Sequence, residues 1–183
     1  MITKCFNFLE GIADNSRIYN LGIHNWDEFL RADKIKGISN KRKLNYNRQI
    51  IRAKDALFNG DVRHLVEIIP TTELWRLYPI FKNECCFLDI EIDGYGNIIV
   101  ITLFDRFESK TMVKRVNLEK SILENELSKY KLIVTYNGSS FDIPKIEKQL
   151  NVKIKIPHID LKHLCNRLGL TGGLKEVEKK LGI

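Results

Sequence analysis

Cys86-Phe87-Leu88-Asp89-Ile90-Glu91-Ile92 alternates apolar residues with acids, the period-two signature of a strand with one buried and one polar face. Asp89 and Glu91 stand two apart, so both carboxylates project from the same side. Leu88, Ile90 and Ile92 point the other way, into a core. Two like charges side by side oppose folding unless something neutralises them, and a divalent cation does so well. Phe87 shares the acidic face, as expected beside a half-buried site. Asp93 would extend the row but falls at a turn, and its role reads as structural.

Working downstream, Gly94-Tyr95-Gly96-Asn97 supplies turn chemistry. Ile98–Phe104 is expected as a second strand and Thr111–Val116 as a third. A helix over Leu118–Lys129 leads into a short apolar strand, Leu132–Tyr136. Asn137-Gly138-Ser139-Ser140 then breaks the strand and caps a helix over Phe141–Leu150, where Pro144 is tolerated in the first turn. A fifth strand over Lys153–Ile159 and helices over Leu161–Leu168 and Leu174–Leu181 follow. Three strands joined by short hairpins, then strands linked through helices by right-handed crossovers, make an α/β mixed sheet: three antiparallel strands plus parallel ones. That is a ribonuclease H-like arrangement.

Asp142 comes from the first turn of the helix after the buried fourth strand. An acid is favoured there for helix electrostatics alone. In a parallel α/β sheet, however, strand carboxyl ends and the helix starts that follow them gather at one edge. A fourth strand beside the first would therefore bring Asp142 towards Asp89 and Glu91. Three carboxylates without a His or Cys partner suit a hard cation, Mg²⁺ or Mn²⁺. Two such ions about 3.5–4 Å apart can activate water and stabilise the leaving oxygen in phosphodiester cleavage.

Upstream the pattern changes. Apolar residues recur at helical spacing up to about Phe81, and a boundary near Lys82–Glu84 separates a helical region, 1–82, from the α/β core, 83–183. Helices are expected from Asp14 to Leu21, around Trp26, Phe29 and Leu30, from Asn40 to Leu57, and from a Thr71-Thr72-Glu73 cap through Leu74, Trp75, Leu77 and Tyr78. Net charge is +7 and the pI about 9.2, which favours a polyanionic partner. The excess is concentrated between Arg31 and Lys54. A solvated helical face would explain it; so would a phosphate-binding surface using Lys41, Arg42, Lys43 and Arg48.

Hydrophobic residues make up 44% and charged residues 29%, which excludes wholesale disorder. No apolar run approaches the roughly 20 residues needed to cross a bilayer, and the start lacks a secretory-signal pattern, so no membrane role and a cytoplasmic location are expected. Cys5, Cys85, Cys86 and Cys165 have neither zinc-site nor disulfide-framework spacing, and the four histidines show no metal-ligand spacing. No glycine-rich phosphate loop follows a strand, which argues against a nucleotide-binding α/β protein.

Phe87-Leu88-Asp89-Ile90-Glu91 and Asn137-Gly138-Ser139-Ser140-Phe141-Asp142-Ile143-Pro144 resemble the first two exonuclease motifs of the DEDD class. The chain is most similar to the YprB-like predicted exonucleases, a branch of the ribonuclease H-like superfamily. Gly22-Ile23-His24-Asn25-Trp26-Asp27-Glu28-Phe29-Leu30, Trp75-Arg76-Leu77-Tyr78, His158-Ile159-Asp160-Leu161 and Gly173–Glu178 also resemble that family. The resemblance implies Asp89, Glu91 and Asp142 as catalytic metal ligands, with Asn137 and Phe141 near the substrate. It also implies 3′–5′ exonuclease action on nucleic acid, DNA in preference to RNA. Leu9-Glu10-Gly11-Ile12 resembles half of a helix-hairpin-helix, with Ala13 replacing the usual second glycine.

Two departures stand out. Ile92 replaces the usual Thr after the first-motif Glu. A fourth acid, which the class carries on a late helix behind a His or Tyr, is absent from its expected place; Asp160 is the one late aspartate and matches a strand-end position. The chain is therefore expected to be truncated. The expectations are a metal-dependent nuclease or, alternatively, a non-catalytic nucleic-acid-binding remnant, with a homodimer as one way to cover the face left bare.

Overall fold

Helically spaced apolar residues and an alternating segment build two different units, Met1–Pro79 and Ile80–Ile183, in a computed structural model that describes residues 1–183. The first contains α1 (Ser16–Tyr19), α2 (Trp26–Arg31), α3 (Asn40–Phe58) and α4 (Val62–Ile68); α5 (Tyr78–Phe81) spans the division. Trp26, Phe6, Phe29, Leu9 and Ile50 are excluded from solvent, and the Trp26 indole donates to the Cys5 carbonyl at 2.7 Å. Asn25 caps α2 by accepting from the Glu28 N–H at 3.0 Å. The Glu28 carboxylate in turn accepts from the His24 N–H at 2.6 Å, closing the start of the helix in the manner of a capping box.

Three expectations change here. The helix from Asp14 to Leu21 contracts to Ser16–Tyr19, because the Asp14 carboxylate holds the Ser16 N–H and Asn15 becomes the cap. The Thr71–Leu77 segment is a 3₁₀ helix with no side-chain cap. Lys43, expected on a phosphate-binding face, is buried: its ammonium donates to Asn47 at 2.7 Å and lies over the Phe29 ring. Its position explains this, since α3 buries Lys43, Tyr46, Ile50 and Ala53 on one helical stripe. Leu9–Ile12 forms turns, with Gly11 at φ +77°.

In the second unit, β1 (Cys85–Ile92), β2 (Ile98–Phe104), β3 (Ser109–Val113), β4 (Leu132–Thr135) and β5 (His158–Asp160) form one sheet ordered β3-β2-β1-β4-β5. β1–β2 and β2–β3 are antiparallel; β1–β4 and β4–β5 are parallel. This is the expected mixed α/β sheet. With it go α6 (Lys120–Leu127), α7 (Asp142–Leu150), α8 (Leu161–Arg167) and α9 (Leu174–Leu181), and α7 packs on β1 and β2. Leu88, Ile90, Ile101, Leu103, Met112, Leu123, Ile133 and Ile146 share one core. Leu88 and Ile90 enter it, while Asp89 and Glu91 stay exposed on the other face.

The outer strands are shorter than the sequence pattern suggests. β3 ends at Val113, where the Asn117 side chain accepts the Val113 N–H at 2.7 Å and ties the chain into a turn. β5 pairs only over His158–Asp160. Pro157 has no N–H to offer, although its carbonyl accepts from Ile133 at 2.8 Å, and the Ile154 N–H is taken by the Glu147 carboxylate at 2.9 Å. No helix is long and apolar enough to cross a membrane. All four cysteines are free thiols; burial pushes Cys85 and Cys86 up to about 12, which keeps them unreactive.

Ile101 sits fully buried on the central antiparallel strand. Ile101→Ala should lower the stability of the sheet unit by about 2–5 kcal/mol, read as a fall in the urea midpoint by far-ultraviolet circular dichroism.

Candidate functional site

β1 is longer than its partner. Its parallel pairing with β4 runs only from Cys85–Leu132 to Phe87–Val134, so Asp89 and Glu91 lie past the end of β4 with β2 as their only sheet neighbour. The chain leaving β4 passes through the loop 136–141 into α7, which packs on β1 and begins with Asp142. Asp142 is 4% exposed. Its carboxyl is raised to about 6 by burial first and then by the Asp89 charge, partly offset by hydrogen bonding to the Ile90 backbone. The Asp89 carboxyl is also raised, by desolvation and then by the Glu91 charge, and it too meets the Ile90 backbone. Asp89 and Asp142, from different elements, therefore meet at one residue.

No Lys, Arg or His forms an ion pair with Asp89, Glu91 or Asp142. Only backbone hydrogen bonds, and no basic side chain, offset the repulsion between Asp89 and Asp142. Oxygen donors in this state suit a hard cation, which binds through one or two carboxylates and completes its shell with water and phosphate oxygens. The residues fit Mg²⁺ or Mn²⁺ in chemistry, although no three His, Cys, Asp or Glu side chains form a ready-made cage.

Asp160 behaves differently. It is 9% exposed, and its carboxylate accepts from the backbone N–H groups of Asn137 at 2.8 Å, Ser139 at 3.0 Å and Lys162 at 3.0 Å. Burial alone would raise its pKa, but these bonds outweigh burial and hold it below the ordinary range. Asp160, the one late aspartate that could stand in as a fourth acid, caps α8 and clamps the loop before α7. Its oxygens are already committed to amides.

That loop is tightly specified. Asn137 adopts φ +66°, and its side-chain oxygen accepts from Lys162 at 3.2 Å. Gly138 donates to the Thr135 hydroxyl at 3.0 Å, and a Cβ there would fall 2.2 Å from that oxygen, so only glycine fits. The same hydroxyl meets His158 Nε2 at 2.7 Å; burial favours the neutral imidazole. Phe141 is 37% exposed. Beside it, a cavity of about 410 Å³ is lined in part by Tyr95, Asn97, Lys145 and Lys148.

Lys145 was not anticipated from the sequence. Its ammonium lies over the Phe141 ring at 5.1 Å and donates to the Gly96 carbonyl at 3.2 Å. Its spacing of four from Phe141 was the available signal. Lys162 was also missed, and nothing local pairs it with Asn137. Lys41, Arg42 and Arg48 are exposed on α3 in the first unit, whereas Lys43 is not.

Because the folded chain keeps the Asp142 proton to higher pH than the unfolded chain, metal-free stability should fall as pH rises from about 4 to about 6. The loss is on the order of 3 kcal/mol. Asp142→Asn should remove this dependence and be more stable than the parent at pH 7.5 in EDTA, measured by urea unfolding. Asp160→Ala should do the opposite, costing about 2–4 kcal/mol by stranding backbone donors.

Comparison with curated proteins gives no match. A family model described as the RNase_H superfamily matches residues 86–183, beginning within β1 and covering every strand, the acidic centre and the Asp160 clamp. The match spans more than half of the chain and, with the mixed five-stranded sheet, places this protein in the ribonuclease H superfamily.

Proposed function

We propose that the chain is a metal-dependent nuclease acting as a 3′–5′ exonuclease on DNA, with Asp89, Glu91 and Asp142 as its metal-holding acids. The observation that carries this is the Asp142 carboxyl, buried against Asp89 and raised to about 6, on a superfamily fold whose members act on nucleic acids. Similarity of the two acidic motifs to the DEDD class, and of the chain to the YprB-like branch, supports the finer assignment.

Asp89 and Asp142 would hold Mg²⁺ or Mn²⁺ from two elements, with Glu91 adding a third carboxylate from the face of β1. When bound, the cation supplies charge neutralisation for the phosphoryl oxygens and lowers the pKa of water. Phe141 offers a partly exposed ring on which a base can stack, and Lys145, above that ring, adds positive charge. Asn137 is set in its left-handed position by Asp160 and Lys162 and stands at the start of the same loop. Metal binding requires Asp142 to lose its proton, so cleavage should rise as pH passes through about 6.

A second reading, nucleic-acid binding without turnover, draws on one observation: Asp160 is engaged by three backbone amides and is not free to serve as a fourth ligand. End-labelled single- and double-stranded DNA and RNA, incubated with Mg²⁺ or Mn²⁺, separate the two. Shortening from the 3′ end that EDTA and Asp89→Ala both abolish is expected. Retained binding with no metal-dependent cleavage of any substrate would overturn the nuclease assignment in favour of the second reading.

A further inference from the structure

The first unit carries a concave groove of about 710 Å³ lined by Gly37, Ser39, Lys41, Arg42, Leu44, Asn45 and Arg48. α3 builds its floor. Residues 41, 45 and 48 recur at helical spacing on one side, while Lys43, Tyr46 and Ile50 turn inward. Ser39 caps the helix by accepting from the Arg42 N–H at 3.3 Å, so the positive end of the helix opens at the same place.

Contacts with other segments brace this stretch. Arg17 donates to the Gly37 carbonyl at 3.4 Å and steadies the turn in which Gly37 takes φ +79°. The Tyr46 hydroxyl donates to the Glu10 carbonyl. Arg42 approaches to 3.8 Å of where a Cβ on Gly11 would lie. The groove is thus lined by one continuous stretch, residues 37–48, whose turn and helix are braced by contacts with earlier parts of the chain.

Its charge is unspent. Lys41, Arg42 and Arg48 form no ion pair, and no acid lines the groove. Lys54, further along the same helix, is paired with Asp27, so acids are within reach of α3 elsewhere. Three unpaired cations around a preformed concavity call for a ligand with several anionic oxygens. No aromatic side chain lines it to stack a base, and phosphate contacts carry no sequence information.

We propose that this groove is a second nucleic-acid contact, gripping the phosphodiester backbone without regard to sequence and acting separately from the acidic centre. The proposal rests on the nucleic-acid reading of the superfamily fold, but not on cleavage.

The test is binding of the full chain to a fluorescent oligonucleotide in EDTA across a salt series, beside a triple Lys41→Ala, Arg42→Ala, Arg48→Ala variant. An equal-charge control carries Lys110→Ala, Lys153→Ala and Lys155→Ala. The groove variant should bind at least about tenfold more weakly at 0.1 M salt, with a salt slope shallower by about 2–3; the control should change little. A set of Gln substitutions at the three groove positions keeps side-chain length and should behave alike, with unchanged circular dichroism. Equal losses in both triple variants, or no loss in the groove variant, would overturn the proposal. So would displacement of the oligonucleotide by tripolyphosphate at matched phosphate concentration, which would make the groove a small-polyphosphate site. If binding falls as expected while neither parent nor variant cleaves, the groove stands and the nuclease assignment fails.

Discussion

A three-residue parallel pairing, Cys85–Phe87 against Leu132–Val134, is the constraint on which the rest of the α/β unit depends. Because it stops early, β1 continues beyond β4 as a strand with one open edge. Asp89 and Glu91 stand on that extension. The chain leaving β4 must turn at once, and α7 begins beside the strand, so Asp142 reaches the Ile90 backbone already in contact with Asp89. A longer β4 would cover the edge and hold the acids apart.

The turn that makes this possible is assembled from interactions distant in sequence. Asp160, at the end of the neighbouring strand, accepts backbone hydrogen bonds from Asn137 and Ser139, while Thr135 fixes Gly138 from below. Two buried aspartates in one sheet edge thus have opposite physical characters. Asp160 is charged and satisfied, and it stabilises the fold. Asp142 is buried, close to another carboxylate and without a basic partner, so its charge works against the fold. Repulsion between buried carboxylates is one mark by which functional groups are recognised.

The helical unit treats charge in two ways as well. Lys43 is drawn inward by the periodicity of α3 and satisfied by Asn47 and an aromatic face, where it contributes to packing. Lys41, Arg42 and Arg48 remain outside around a concavity, with no acid to quench them. Net positive charge alone says only that polyanions are attracted. Its distribution over a shaped surface says where one can dock.

Much of this was legible in the chain itself. Alternation in residues 86–92 defined β1 and its acidic face, turn chemistry at 94–97 and 137–140 separated the strands, and the order of hairpins and crossovers implied a mixed sheet; these follow from local periodicity. Strand ends were less legible: β3 stops where Asn117 captures Val113, and β5 is shortened by Pro157 and by Glu147 taking the Ile154 amide, none of which is a local propensity. The clamp that Asp160 places on the loop before α7 could not be read at all, since the sequence presents only one more acid and the two loop donors lie more than twenty residues away. The same holds for Lys43, whose type suggests the surface and whose helical phase puts it inside. Sequence determined which residues carry charge and which face of each element they occupy, because side-chain direction follows backbone period. Only the tertiary structure decided which charges are satisfied and which are left open, because a carboxylate or an ammonium is defined by the partners that folding brings to it.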